Sequence, residues 1–158
     1  MNNQTIFALS SAPGKAGIAI ISISGAGALD TLTRVTGLKS PAARYAHRIK
    51  VKQVKTKEIL DDGLALYFPA PNIFTGEDVV ELHLHGSRAV LDETTTLLCE
   101  DNKIRLADAG EFTRRAFDNG KFDLTAAEGL ADLVNAETAL QRRQAQRQMR
   151  GELATLYN

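Results

Sequence analysis

The stretch Gly63-Leu64-Ala65-Leu66-Tyr67-Phe68-Pro69-Ala70-Pro71-Asn72-Ile73-Phe74-Thr75-Gly76-Glu77-Asp78-Val79-Val80-Glu81-Leu82-His83-Leu84-His85-Gly86 decides the fold. Gly63 to Phe68 is strongly apolar and reads as a strand, which must end at Pro69-Ala70-Pro71-Asn72 because proline cannot donate to a ladder. Val79 to His85 is the next strand. Its alternation sends Val80, Leu82 and Leu84 into a core and sets Glu81, His83 and His85 on the opposite face. A carboxylate and two imidazoles on one face suit a metal, an organic ligand rich in hydrogen-bond donors, or plain solvent. No further cluster of His, Asp or Glu completes a ligand set, so no metal is expected.

Working outward toward the N-terminus, Gly17 to Ser24 is rich in isoleucine and apolar on both faces, as a covered central strand would be. Thr5 to Leu9 is a shorter strand before the loop Ser10 to Ala16. Ala28 to Val35 places Leu29, Leu32 and Val35 at helical spacing, with Gly37 where a C-terminal cap belongs. Ala46 to Lys57 alternates basic residues with Ile49, Val51 and Val54 and reads as an edge strand defended by lysines. Toward the C-terminus, Ser87 starts a helix through Leu91, Thr94, Leu97 and Leu98. Ile104 to Ala107 is a last short strand, and Glu111 to Asp118 is a short helix stopped at Asn119-Gly120. Strands interleaved with helices over connections this short predict an α+β domain with a mixed sheet and flanking helices.

From Asp123 the pattern changes. Asp123 can cap a helix in which Leu124, Ala127, Leu130, Leu133, Val134, Leu140, Met149 and Leu153 fall at three- and four-residue steps. The expectation is one helix of ~30 residues whose apolar stripe has no partner in this sequence. Residues 1–119 are therefore assigned to one domain and 120–158 to the start of an all-helical one.

The 158 residues carry 19 Lys and Arg against 19 Asp and Glu. No overall positive field is available to hold a phosphate backbone, so any nucleic-acid contact must be local. Cys99 alone excludes an internal disulfide, suits a reducing cytosol and reads as a buried small residue on a helix. No secretory signal is evident, and the most apolar run, Gly17 to Ile23, is far shorter than the ~20 residues that span a bilayer. A cytoplasmic location with no membrane partner follows. Pro13-Gly14-Lys15 lacks the spacing of a phosphate-binding P-loop, and no GTP-binding motif occurs elsewhere. Lys121, between a glycine turn and a helix, can reach into a cleft or simply be solvated. Arg143, Arg147 and Arg150 share a helical face that suits phosphates or plain solvent.

Taken together, Pro69, Pro71-Asn72, Phe74 to Asp78, Gly110-Glu111-Phe112, Arg115-Ala116-Phe117, Asn119-Gly120-Lys121, Asp123-Leu124 and Ala127 to Leu133 closely resemble the N-terminal region of the MnmE (TrmE) family of tRNA-modifying GTPases. Thr5-Ile6 and Ile23-Ser24-Gly25 resemble it too, and the likeness runs the length of the chain in order. The resemblance implies a tetrahydrofolate-binding fold like that of the glycine-cleavage aminomethyltransferase, pairing as a homodimer. A helical domain follows in the family, interrupted by a GTPase domain that uses GTP, magnesium and potassium; that domain is expected to be missing here. With the FAD-dependent partner MnmG (GidA), the family modifies C5 of the wobble uridine of tRNA, taking a one-carbon unit from 5-formyltetrahydrofolate. Glu81 matches a glutamate that contacts the folate, and Lys121 a lysine at the same site. Ser22 departs from the pattern: an arginine commonly stands before the Ile-Ser-Gly turn, and its absence implies weaker folate binding unless Lys15 or Arg114 substitutes. The expectation is thus a binding and dimerisation module with no catalytic residue of its own. The alternatives are a folate-dependent aminomethyltransferase-like enzyme and an RNA-binding adaptor resting on Arg143 to Arg150.

Overall fold

The computed structural model describes residues 4–151; Leu153, placed above on the helical stripe, lies outside them. The chain divides into two compact units after Glu111. The first contains β1 (Thr5–Leu9), β2 (Ala16–Ser24), α1 (Ala28–Thr36), β3 (His47–Lys52), β4 (Ile59–Phe68), β5 (Val79–Gly86), α2 (Arg88–Cys99) and β6 (Ile104–Leu106). Helix α3 (Glu111–Asp118) begins at the division, and α4 (Leu124–Val134) and α5 (Ala139–Met149) lie wholly in the second unit.

The strands form one six-stranded sheet in the order β3-β4-β5-β2-β1-β6. All neighbours are antiparallel except β1 and β6, so the sheet is mixed and the domain is α+β as the interleaved pattern implied. The isoleucine-rich β2 lies inside the sheet between β1 and β5, and the lysine-bearing β3 lies at its edge. Period-two alternation sends Phe7, Ile21, Ile23, Val80, Leu82 and Leu84 to one face, where they form a single core with Leu32 and Val35 of α1 and Leu97 and Leu98 of α2. The same alternation turns Ser22, Glu81 and His83 to the reverse face. Strand β4 begins four residues earlier than its apolar composition suggests. Its polar start, including Asp61 and Asp62, is drawn into the sheet by pairing with β3, a case of tertiary contact overriding strand propensity.

Local signals set the helix limits. Gly37 takes the left-handed conformation, φ 76°, and its N–H donates to the Thr33 carbonyl, ending α1. Ser87 caps α2 by accepting from the Val90 N–H. Cys99, expected inside, is exposed, because it is the last residue of α2 while Thr94, Leu97 and Leu98 take the buried face.

The second unit departs from the expected single long helix. Asp123 does cap α4, accepting from the Ala126 N–H, but α4 ends at Val134 and a new helix starts five residues later. The cause is a reciprocal capping box: the Thr138 hydroxyl accepts from the Gln141 N–H while the Gln141 side chain accepts from the Thr138 N–H. The two helices pack on each other as a hairpin. Small residues make the seam. A Cβ on Gly129 would lie 2.9 Å from Met149 Cγ and the Met149 nitrogen and 3.0 Å from the Ala145 carbonyl oxygen. Leu124, Val134 and Leu140, placed above on a stripe with no partner in this sequence, are 70%, 77% and 73% exposed.

Candidate functional site

Strand pairing brings two of the three expected ligand residues together. In the β2–β5 register Ser22 lies directly opposite Glu81, which is flanked on its other side by Leu66 of β4. Side chains so opposed have Cβ atoms roughly 4.5–5.5 Å apart. The Glu81 carboxylate is half-buried, and its Oε2 lies 2.8 Å from Nε2 of His83, two residues along the same face.

Ser22 is 7% exposed, and its hydroxyl accepts from Ser10 at 2.6 Å. Ser11 Oγ accepts from the Ile20 N–H, and the Ser10 N–H donates to the Ile20 carbonyl. The loop carrying Lys15 is therefore tied to β2 at its start. Lys15 itself is exposed.

On the far side of Glu81, the segment Phe74 to Asp78 is held by buried hydroxyl chemistry. Ser24 Oγ lies 2.9 Å from Thr75 Oγ1 and donates to Glu77 at 2.8 Å. The Gly25 N–H donates to the Asp78 carbonyl, and Asp78 Oδ1 accepts from the Ala70 N–H. Burial, with Asp78 adding, holds the Tyr67 phenol above its ordinary pKa. The resemblance-bearing motif is thus a braced loop at the end of the strand that carries Glu81.

His85 does not join Glu81 and His83. Its Nδ1 lies 2.7 Å from Asp61 Oδ1, and its N–H donates to Asp61 Oδ2, so the strand bears two separate carboxylate–imidazole pairs. Among the described residues no three His, Cys, Asp or Glu side chains come together as a metal ligand set. Asp61 was not foreseeable from spacing, because only the β4–β5 pairing brings it to His85. The same holds for Arg105 and Glu111. That carboxylate, 3% exposed, receives both guanidinium nitrogens at 2.8 and 2.7 Å and the Asp108 N–H at 2.9 Å. The paired carboxylate raises the pKa of Arg105.

Lys121, the third expected ligand residue, belongs to the second unit. Gly120, with φ 67°, and the Lys121 N–H, donating to the Ala116 carbonyl, close the end of α3 and set the lysine in the turn before α4. It is exposed and lines a cleft of about 410 Å³ with Phe117, Phe122, Asp123, Ala126 and Met149. Arg143, Arg147 and Arg150 are all exposed at α5 and its C-terminal cap.

The family model described as GTP-binding protein TrmE N-terminus matches residues 5–121. The chain belongs to this family. That span of the TrmE N-terminal family covers the whole sheet, the braced loop and the turn bearing Lys121. The chain is 54% identical over 155 residues to a tRNA modification GTPase MnmE of Rickettsia akari (strain Hartford), covering 98% of this chain and 35% of that protein. It is 54% identical over 154 residues to the protein of the same name from Parvibaculum lavamentivorans, with the same shares. The corresponding Rickettsia conorii protein is 53% identical over 155 residues. The chain thus spans about a third of the length of the curated relatives it matches. No helix of the described residues is long and apolar enough to cross a membrane.

Proposed function

We propose that this chain is the folate-binding, dimer-forming N-terminal part of a tRNA modification GTPase, and that it lacks GTPase activity itself. The reading is supported above all by membership of the TrmE N-terminal family across residues 5–121, with Glu81 held half-buried on the sheet. The chemistry of each residue supports a reduced folate as ligand: the Glu81 carboxylate can accept from the donor edge of a pterin ring, and the Lys121 ammonium can serve electron-rich or anionic parts of a folate. 5-Formyltetrahydrofolate would supply the one-carbon unit for C5 of the wobble uridine. The roles of this chain's residues are to bind and orient that donor: Glu81 by accepting, His83 by holding the carboxylate in place, and Lys121 by charge.

In the parent protein, GTP with magnesium and potassium belongs to the part of the sequence beyond this chain. The FAD-dependent MnmG (GidA) and tRNA are the partners, a homodimer is the working form, and the cytoplasm is the place of action. Calorimetric titration with 5-formyltetrahydrofolate tests the core of this reading. Replacing Glu81→Gln removes the charge from a charge-assisted hydrogen bond worth roughly 1.5–3 kcal/mol, so affinity should fall about tenfold or more. Equal affinity in wild type and E81Q would reject the assignment. Clear GTP turnover by the chain would reject the division of labour.

A further inference from the structure

The balanced net charge conceals a local excess. Between positions 44 and 57 the sequence has Arg44, Arg48, Lys50, Lys52, Lys55 and Lys57 and neither Asp nor Glu. Arg44 is occupied, donating to the Asn72 carbonyl with its guanidinium over the Phe68 ring. The other five lie on β3 and on the turn that follows it. Arg48 and Lys50 are exposed and Lys52 half-buried, while the intervening Ile49 and Val51 are buried at 5% and 0%. The three cations therefore share one face of the strand, about 6.6–6.8 Å from one to the next.

We propose that this edge is an RNA-binding surface that contacts the phosphate backbone of tRNA; the identity of that partner rests on the functional reading above. Strand β3 ends the sheet, so its outward backbone N–H groups have no strand partner among the described residues and can join the cations as donors to phosphate oxygens. A hollow of about 540 Å³ beside the edge is lined by the same three cations and by Thr36, Gly37 and Leu38 at the end of α1. One carboxylate faces the row: Asp62 Oδ1 lies 3.8 Å from Arg48, in an exposed pair of little energetic weight. Glu58 stands beyond the turn, and Asp61 is engaged by His85. A line of cations with no apolar residue exposed between them suits a polyanion chain. Ile49 and Val51 of β3 are committed to the core, while Leu64 and Ile59 of β4, opposite Arg48 and Lys52, are 42% and 48% exposed, so anionic vesicles serve as the competing arm of the test.

The test is fluorescence anisotropy of unmodified tRNA titrated with the intact chain at salt from about 50 to 300 mM, a range over which phosphate contacts weaken steeply. The Arg48→Gln/Lys50→Gln/Lys52→Gln variant should bind about 10- to 100-fold more weakly near 0.1 M salt, with a log–log salt slope shallower by about 2 to 3. Its melting temperature should match the wild type. Arg143→Gln/Arg147→Gln/Arg150→Gln on α5 and its cap should change the slope by less than about 1. An unchanged slope in the β3 variant, with tRNA still bound, overturns the surface and leaves the tRNA reading intact. So does loss confined to the α5 variant. Failure of the wild-type chain to bind tRNA, or its preference for phosphatidylglycerol vesicles, overturns the surface too. 5-Formyltetrahydrofolate affinity, measured on the same samples and expected to be equal in all of them, shows separately whether the folate reading stands.

Discussion

Replacing Gly129→Ala separates two pictures of the second unit by sign. In a lone exposed helix, alanine for glycine stabilises by about 0.5–1 kcal/mol, because it restricts the unfolded chain and favours helical dihedrals. In the α4–α5 hairpin the new methyl would sit 2.9 Å from the Met149 nitrogen and 3.0 Å from the Ala145 carbonyl oxygen. Both are backbone atoms of the facing helix, so no rotamer change relieves the clash and the helices must separate along the seam. Overpacking of this kind costs about 1–3 kcal/mol. Backbone atoms cannot step aside, which puts the cost in the upper part of that range, and setting the propensity gain against it leaves a net destabilisation of roughly 1–2 kcal/mol. Hydrogen exchange is the suitable assay, since two units of one chain can open separately and a single melting curve would blend them. Amides of residues 124–149 should exchange about 5- to 30-fold faster in G129A, the factor that 1–2 kcal/mol represents. Slower exchange in the variant would refute the hairpin and restore the single helix.

Other perturbations probe the remaining contacts. Ser22→Arg sets a guanidinium directly opposite Glu81 and should tighten 5-formyltetrahydrofolate binding by about tenfold, one charge-assisted bond, in calorimetric titration; unchanged or poorer affinity would reject Ser22 as the cause of weak binding. Glu111→Ala strips at least three hydrogen bonds from a buried carboxylate and leaves Arg105 behind. Because that guanidinium is about a quarter exposed and regains water, the loss should be about 2–4 kcal/mol in urea denaturation rather than the full cost of orphaning a buried charge. Thr138→Ala removes the capping box and should cost about 1 kcal/mol, read as faster exchange at the start of α5. Tyr67 has its folded pKa raised, so above about pH 10 the unfolded chain ionises first and stability declines. Tyr67→Phe should lessen that alkaline decline, and an identical pH profile would count against it.

Most of the first unit was legible in the order of residues, and the reason is periodicity. Alternation along Val79–Gly86, the uninterrupted isoleucines of β2, the lysines of β3, the serine before α2 and the glycine after α1 are each decided by neighbours a few positions away. Glu81 could be placed on the face opposite the core for the same reason. The helical region was misread although its signal was present: Thr138 and Gln141 stand at capping-box spacing, but continuing apolar residues made one helix look sufficient. Only tertiary structure decided that Ser22 faces Glu81, that Asp61 takes His85 away from the Glu81–His83 pair, and that Arg105 closes on Glu111. These contacts depend on strand register and chain return, where one residue of slip would turn every side chain to the other face. Periodicity in a linear sequence states which face a residue takes; what stands opposite it is set by packing of segments far apart along the chain.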